Sequence, residues 1–177
     1  RHRDARPPSA ARGGAPADPA LPFVGYPALR GVFLDRAVGL LTPASPLVPQ
    51  LGAFLTALHR FPVERAVASG VPAGSWAAWL AWWRGFVARI LDQGSAHLDL
   101  PTYAWASSFL ADFLAELGAD EREVALIHHD LALEHILVTP DGTGLAGVID
   151  WGDAAIGDPA LDFAGFISGG CAPATVA

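Results

Sequence analysis

The residues best suited to chemistry stand close together: His128, Asp130 and His135 in the stretch 127–138, and Asp150 in 147–153. Asp130, Asp150 and His135 put two carboxylates and an imidazole among apolar neighbours, and such groups are costly to bury unless they are paired or bind a cation. An oxygen-rich set with one imidazole suits a hard divalent ion such as Mg²⁺, with waters completing its shell. Zinc would more usually recruit several histidines or a cysteine, and the single cysteine, Cys171, stands near the far terminus. A plainer reading stays open for each residue taken singly: histidines satisfied in a loop, aspartates capping turns. The set at this spacing favours a functional site.

Short apolar runs frame that set. Val124 to Ile127 precedes the polar cluster, Ile136 to Val138 follows it, and a third run ends at Asp150. Asp141-Gly142 and Gly144 give a turn between the last two. The pattern predicts strand, polar loop, strand, hairpin turn, strand, with Asp130 and His135 on the loop and Asp150 at the last strand's end. Upstream, Leu47, Leu51, Phe54, Leu55 and Leu58 recur at helical spacing over 46–60, with Ser45 as the expected N-cap. His59 closes that helix as a polar tip. Ser75 caps a second helix to about Gln93, with Trp76, Trp79, Trp83, Phe86, Val87 and Ile90 along one face. Its apolar run falls short of the ~20 residues a bilayer needs, and Arg84 and Arg89 interrupt it, so a core helix is expected rather than a membrane span. A third helix is predicted over 101–117, with Tyr103, Ala106, Phe109, Leu110, Phe113, Leu114 and Leu117 inward and Gly118 as its stop. Asp158-Pro159 opens a last helix running to about Ile167.

The loop His128-His129-Asp130, with His135 five residues on, then Ile149-Asp150-Trp151-Gly152-Asp153 and Gly157-Asp158-Pro159 with Asp162, resembles the aminoglycoside phosphotransferase family. That family's usual loop reads His-Gly-Asp followed five residues later by Asn. Here His129 replaces the glycine and His135 the asparagine, the second change being similar to the aminoglycoside 2''-phosphotransferase branch. The resemblance covers roughly residues 21 to 170. It implies an α+β, protein-kinase-like fold, mainly the helical carboxy-terminal lobe with a small catalytic β-hairpin. By the same resemblance, Asp130 is the catalytic base, His135 and Asp150 hold Mg²⁺, and His128 and Asp162 support the loop. Backbone groups around Tyr26, Ala28 and Leu29 would border the base of ATP or GTP, although a plain connector explains that stretch nearly as well. The acceptor implied is a small, cationic, hydroxylated molecule. A protonated imidazole has no lone pair to give, so metal binding is expected to weaken in mild acid.

Composition limits the alternatives. A formal net charge of −7 argues against nonspecific nucleic-acid binding and tolerates a cationic partner. One cysteine offers no disulfide framework, so a reducing cytoplasm is the expected compartment. Residues 1–20, rich in Arg, Ala, Pro and Gly, are expected to be an irregular tail. Residues 21–41 are expected to be hinge-like and extended, 42–170 the helical lobe, and 171–177 a second irregular tail. All 11 basic residues are arginine, and the chain contains neither Lys nor Met. The family's glycine-rich loop has no counterpart here, its strand lysine is absent with every other Lys, and a fragment with negligible phosphoryl transfer on its own is expected. Two other readings remain: a catalytically inactive remnant or binding module, and a metal-dependent hydrolase.

Overall fold

Leucines four residues apart build the first long helix, α1 (Leu47–His59), whose Leu47, Leu51, Leu55 and Leu58 are buried. Each such side chain contributes about 1.5–3 kcal/mol on burial. The computed structural model describes residues 28–118 and 120–169; the expectations for 1–20, for 21–27 with Tyr26, and for 171–177 lie outside these. Within the described part of the extended run expected over 21–41, only Val32–Phe33 is strand, and Leu34–Leu40 turns into a 3-10 helix that buries Leu34 in the core. Ser45 stands one residue too early to be the N-cap, which is Pro46, yet its buried hydroxyl still accepts from the Leu47 N–H at 3.2 Å. A short helix, α2 (Val63–Ala68), follows Pro62 and was not anticipated, since six residues carry too little periodicity to read.

Helix α3 (Trp76–Gly94) begins as expected, Ser75 Oγ accepting from the Ala78 N–H at 3.2 Å. Helix α4 (Leu100–Leu117) is capped by Asp99, which accepts from the Thr102 N–H at 2.8 Å. Hydrogen bonding from the Thr102 side chain and backbone holds that carboxyl below its ordinary range. The two helices pack together around Trp76, Trp79, Leu80, Leu117 and Ile127. The inward face expected of α4 is only partly achieved. Leu117 is buried, but Phe109 is 57% exposed and stacks on Trp105, itself 67% exposed, at 5.6 Å between ring centroids. Gly118 ends the helix at φ −86, a right-handed conformation open to any residue.

Strands β2 (Ala125–Ile127), β3 (Ile136–Val138) and β4 (Leu145–Val148) lie where the apolar runs predict them. β3 and β4 form the expected antiparallel hairpin, with an irregularity at Leu137/Val138. In its turn, Gly142 takes φ +72, and the Asp141 carboxylate accepts from the Thr139 hydroxyl and the Thr143 N–H. Strand β1 (Val32–Phe33) adds to the other edge of β3, giving the order β1-β3-β4. β2 pairs instead with β5 (Ala155–Gly157), antiparallel, with Leu126 opposite Ile156. A second apolar core, including Leu34, Leu47, Leu51, Leu131, Ile136, Val138 and Phe166, packs α1 against the hairpin. The last expected helix is a 3-10 segment, Pro159–Phe163, continued by α5 (Ala164–Ser168). Among the described residues no helix is long and apolar enough to cross a membrane.

Candidate active site

β2 delivers the chain into the polar loop, and one buried carboxylate anchors the loop's first residues. Asp162, fully buried, accepts from the His128 N–H through Oδ2 at 3.1 Å and from the His129 N–H through Oδ1 at 3.0 Å. His59 Nε2 lies 2.9 Å from the same Oδ2. Three donors around one buried carboxylate are what keep such a group from being a heavy desolvation cost. The resemblance implied the support from Asp162; the part of His59 was missed. Seen in sequence it is only a histidine at a helix end, 103 positions from its partner.

His128, also fully buried, donates from Nε2 to the Ile149 carbonyl at 2.9 Å. The Ile149 N–H in turn donates to the His135 carbonyl at 2.9 Å. Ile149 is thus held on both sides, and Asp150 follows it in a left-handed conformation, φ 63 and ψ 58. The sequence places Asp150 at the strand end; β4 stops at Val148, and this backbone turn aims the carboxylate. Gly165 is a further residue the sequence did not single out. A Cβ there would overlap the Leu131 carbonyl, so α5 presses directly on the loop backbone.

The mouth itself contains Asp130, His135 and Asp150. His135 Nδ1 donates to the Asp130 backbone carbonyl at 2.6 Å, and the Asp130 carboxylate lies 3.7 Å from the same nitrogen. That bond leaves the Nε2 lone pair facing Asp150 Oδ2 at 3.6 Å. An octahedral ion with bonds of about 2.1 Å sets adjacent ligands about 3.0 Å apart, so this pair stands a little wide of that spacing and would close slightly to share one. No cluster of three or more His, Cys, Asp or Glu side chains stands ready for a metal among the described residues. Two protein ligands fit Mg²⁺, whose shell phosphates and waters complete, better than structural zinc. The Asp130 and Asp150 side chains are 56% and 65% exposed, so both open to solvent. Glu134 and Asp153 are exposed as well and add to the negative charge nearby. Of the residues expected at the nucleotide base, Leu29 lies over β4, where a Cβ on Gly147 would come within 2.6 Å of its Cδ1. Ala28 precedes it, exposed.

The sequence model of the phosphotransferase enzyme family matches residues 12–177. The chain belongs to that family. Among solved structures, this chain is similar to APH(2")-IIia in its GDP and kanamycin complex: 30% identity, TM-score 0.74, covering 90% of this chain and 54% of that one. It is also similar to wild-type aminoglycoside 2'-phosphotransferase-IIIa in its GDP complex, at 27% identity and TM-score 0.70, covering 84% of this chain and 50% of that one. Acyl-CoA dehydrogenase family member 11 of Pongo abelii and of Homo sapiens are 27% identical over 143 residues, 76% of this chain and 17% of each relative. The chain therefore spans about half the length of these solved structures and 17% of the curated relatives. The fold is the kinase-like one of the aminoglycoside phosphotransferases, as the loop motif implied.

Proposed function

We propose that this chain carries the catalytic loop and the metal-binding pair of a small-molecule kinase. The reaction is transfer of the γ-phosphoryl group of ATP or GTP to a hydroxyl of a cationic, aminoglycoside-like acceptor. The observation that carries this reading is the convergence of Asp130 and Asp150 on the two nitrogens of His135, at 3.7 and 3.6 Å. GDP and kanamycin in the similar APH(2")-IIia complex support the substrate classes. The family assignment favours this reading over a metal-dependent hydrolase.

Asp130 orients the acceptor hydroxyl and takes its proton as the new O–P bond forms and the bond from phosphorus to the leaving nucleoside diphosphate breaks. His135 and Asp150 would hold Mg²⁺, which would supply positive charge beside the nucleotide phosphates. His128 and Asp162 keep the loop in register through their bonds to Ile149 and to the loop N–H groups. Asp130, Glu134, Asp150 and Asp153 make the mouth acidic, which suits a cationic acceptor. Backbone groups at Ala28 and Leu29 would border the nucleotide base, and the single cysteine agrees with work in a reducing cytoplasm. The test is transfer of labelled γ-phosphoryl from ATP or GTP to a panel of aminoglycosides by the protein that carries this chain. Label should reach an acceptor and be lost in Asp130→Asn. Transfer that persists in Asp130→Asn, or label released only as inorganic phosphate, would overturn the assignment.

A further inference from the structure

We propose that His129 is a positioning residue whose imidazole straps the loop bearing Asp130 to the turn that follows Asp150. The strap takes the place of the freely jointed glycine usual at this point, and its importance to catalysis rests on the proposed phosphotransferase function.

His129 sits at φ 73, a left-handed conformation uncommon for a residue with a side chain. A histidine kept there needs compensating contacts, and three independent ones are present. Its backbone N–H donates to Asp162 Oδ1 at 3.0 Å. Its ring donates from Nδ1 to the Asp153 carbonyl at 3.1 Å. The ring also stands edge-on to Trp79 and Trp82, both at 5.4 Å between centroids, with interplanar angles of 61° and 69°. Trp82 is stacked between Trp79 and Phe86, at 5.7 and 5.4 Å, so the wall behind the imidazole is itself braced along α3.

The consequence lies in what Asp153 belongs to. It closes the 3-10 turn Trp151–Asp153, whose N-cap is Asp150. The turn has a backbone bond of its own, from the Ala154 N–H to the Trp151 carbonyl at 3.2 Å. Holding the Asp153 carbonyl from His129 fixes the turn's far end, while His128 and His135 hold Ile149 at its near end. The base-bearing loop and the carboxylate-bearing turn then move as one piece. A glycine would supply the backbone angle without this link.

Two variants of the protein that carries this chain separate the strap from the backbone angle. His129→Gly favours φ > 0 and removes the ring. His129→Asn tolerates φ > 0 and places its amide N–H the same number of bonds from Cα as Nδ1. Hydrogen exchange at the Ala154 amide reads the turn, and Mn²⁺ titration reads the metal pair. His129→Gly should speed exchange at Ala154 on the order of tenfold, the loss of about one hydrogen bond. It should also weaken Mn²⁺ binding several-fold, and His129→Asn should restore both. Unchanged Ala154 exchange in His129→Gly, or no recovery in His129→Asn, overturns the strap. If wild type fails to bind Mn²⁺ while the exchange pattern holds, the metal assignment fails and the strap stands. Strong Mn²⁺ binding with flat exchange across all three proteins overturns the strap and leaves the metal assignment standing.

Discussion

Around Asp162, backbone and side-chain donors converge on one buried carboxylate, and His128 and His135 tie the neighbouring strands through Ile149. Along α4, by contrast, Trp105 and Phe109 stack on each other while both remain more than half exposed. The first region is specified by directional bonds, each with one satisfying geometry. The second rests on apolar contact, which is roughly proportional to area and indifferent to direction. A site that must hold polar groups at fixed separations needs the first kind of construction. A helix face does not.

Substitutions should separate the two regions, and the largest effect belongs to the mouth. Asp130→Asn in the protein that carries this chain should lower kcat by about 10²–10⁴-fold, the usual worth of a positioned base. Nucleotide affinity, followed by titration, should hardly change, because the base acts on the acceptor proton. Next comes the cradle. Asp162→Ala leaves His59 and two backbone N–H groups without their acceptor and should cost about 3–5 kcal/mol in chemical denaturation. A loss below about 1 kcal/mol, the worth of a single ordinary hydrogen bond, would mean that the convergence on Asp162 carries little weight.

Gly165→Ala probes the same region by volume, since a methyl group there meets the Leu131 backbone. It should destabilise by about 1–3 kcal/mol. The contrasting arm is Trp105→Gln on α4, expected to stay within about 0.5 kcal/mol of the parent. If it destabilised as much as Gly165→Ala, the exposed face of α4 would be contributing more than its contacts show. The smallest effect is one of pH. Hydrogen bonds from the Thr139 side chain and the Thr143 backbone lower the Asp141 pKa, as those of Thr102 do for Asp99. A depressed carboxylate adds stability above its unfolded pKa and loses it as pH falls through the folded one. A slight decline is therefore expected below the ordinary carboxylate range, and Asp141→Asn should flatten part of it in acid denaturation.

Local pattern in the sequence determined a good deal. Leucine spacing marked α1, Ser75 marked the start of α3, and β-branched runs broken by Asp141-Gly142 marked the β3–β4 hairpin. In each case the deciding interactions lie within a few positions, where period and capping are written directly in the residue order. The loop motif was legible for the same reason, as was the family. Tertiary structure alone decided which strands pair: β2 finds β5, and β1 finds β3 across about a hundred positions. It also decided that His59 meets Asp162, that His129 lies against Trp79 and Trp82, and that Phe109 stays exposed. Such contacts join residues whose separation in the chain carries no periodic signal. They arise only when packed layers bring distant donors, acceptors and rings to one place, where an unpaired buried group would cost more than its partner's ordering.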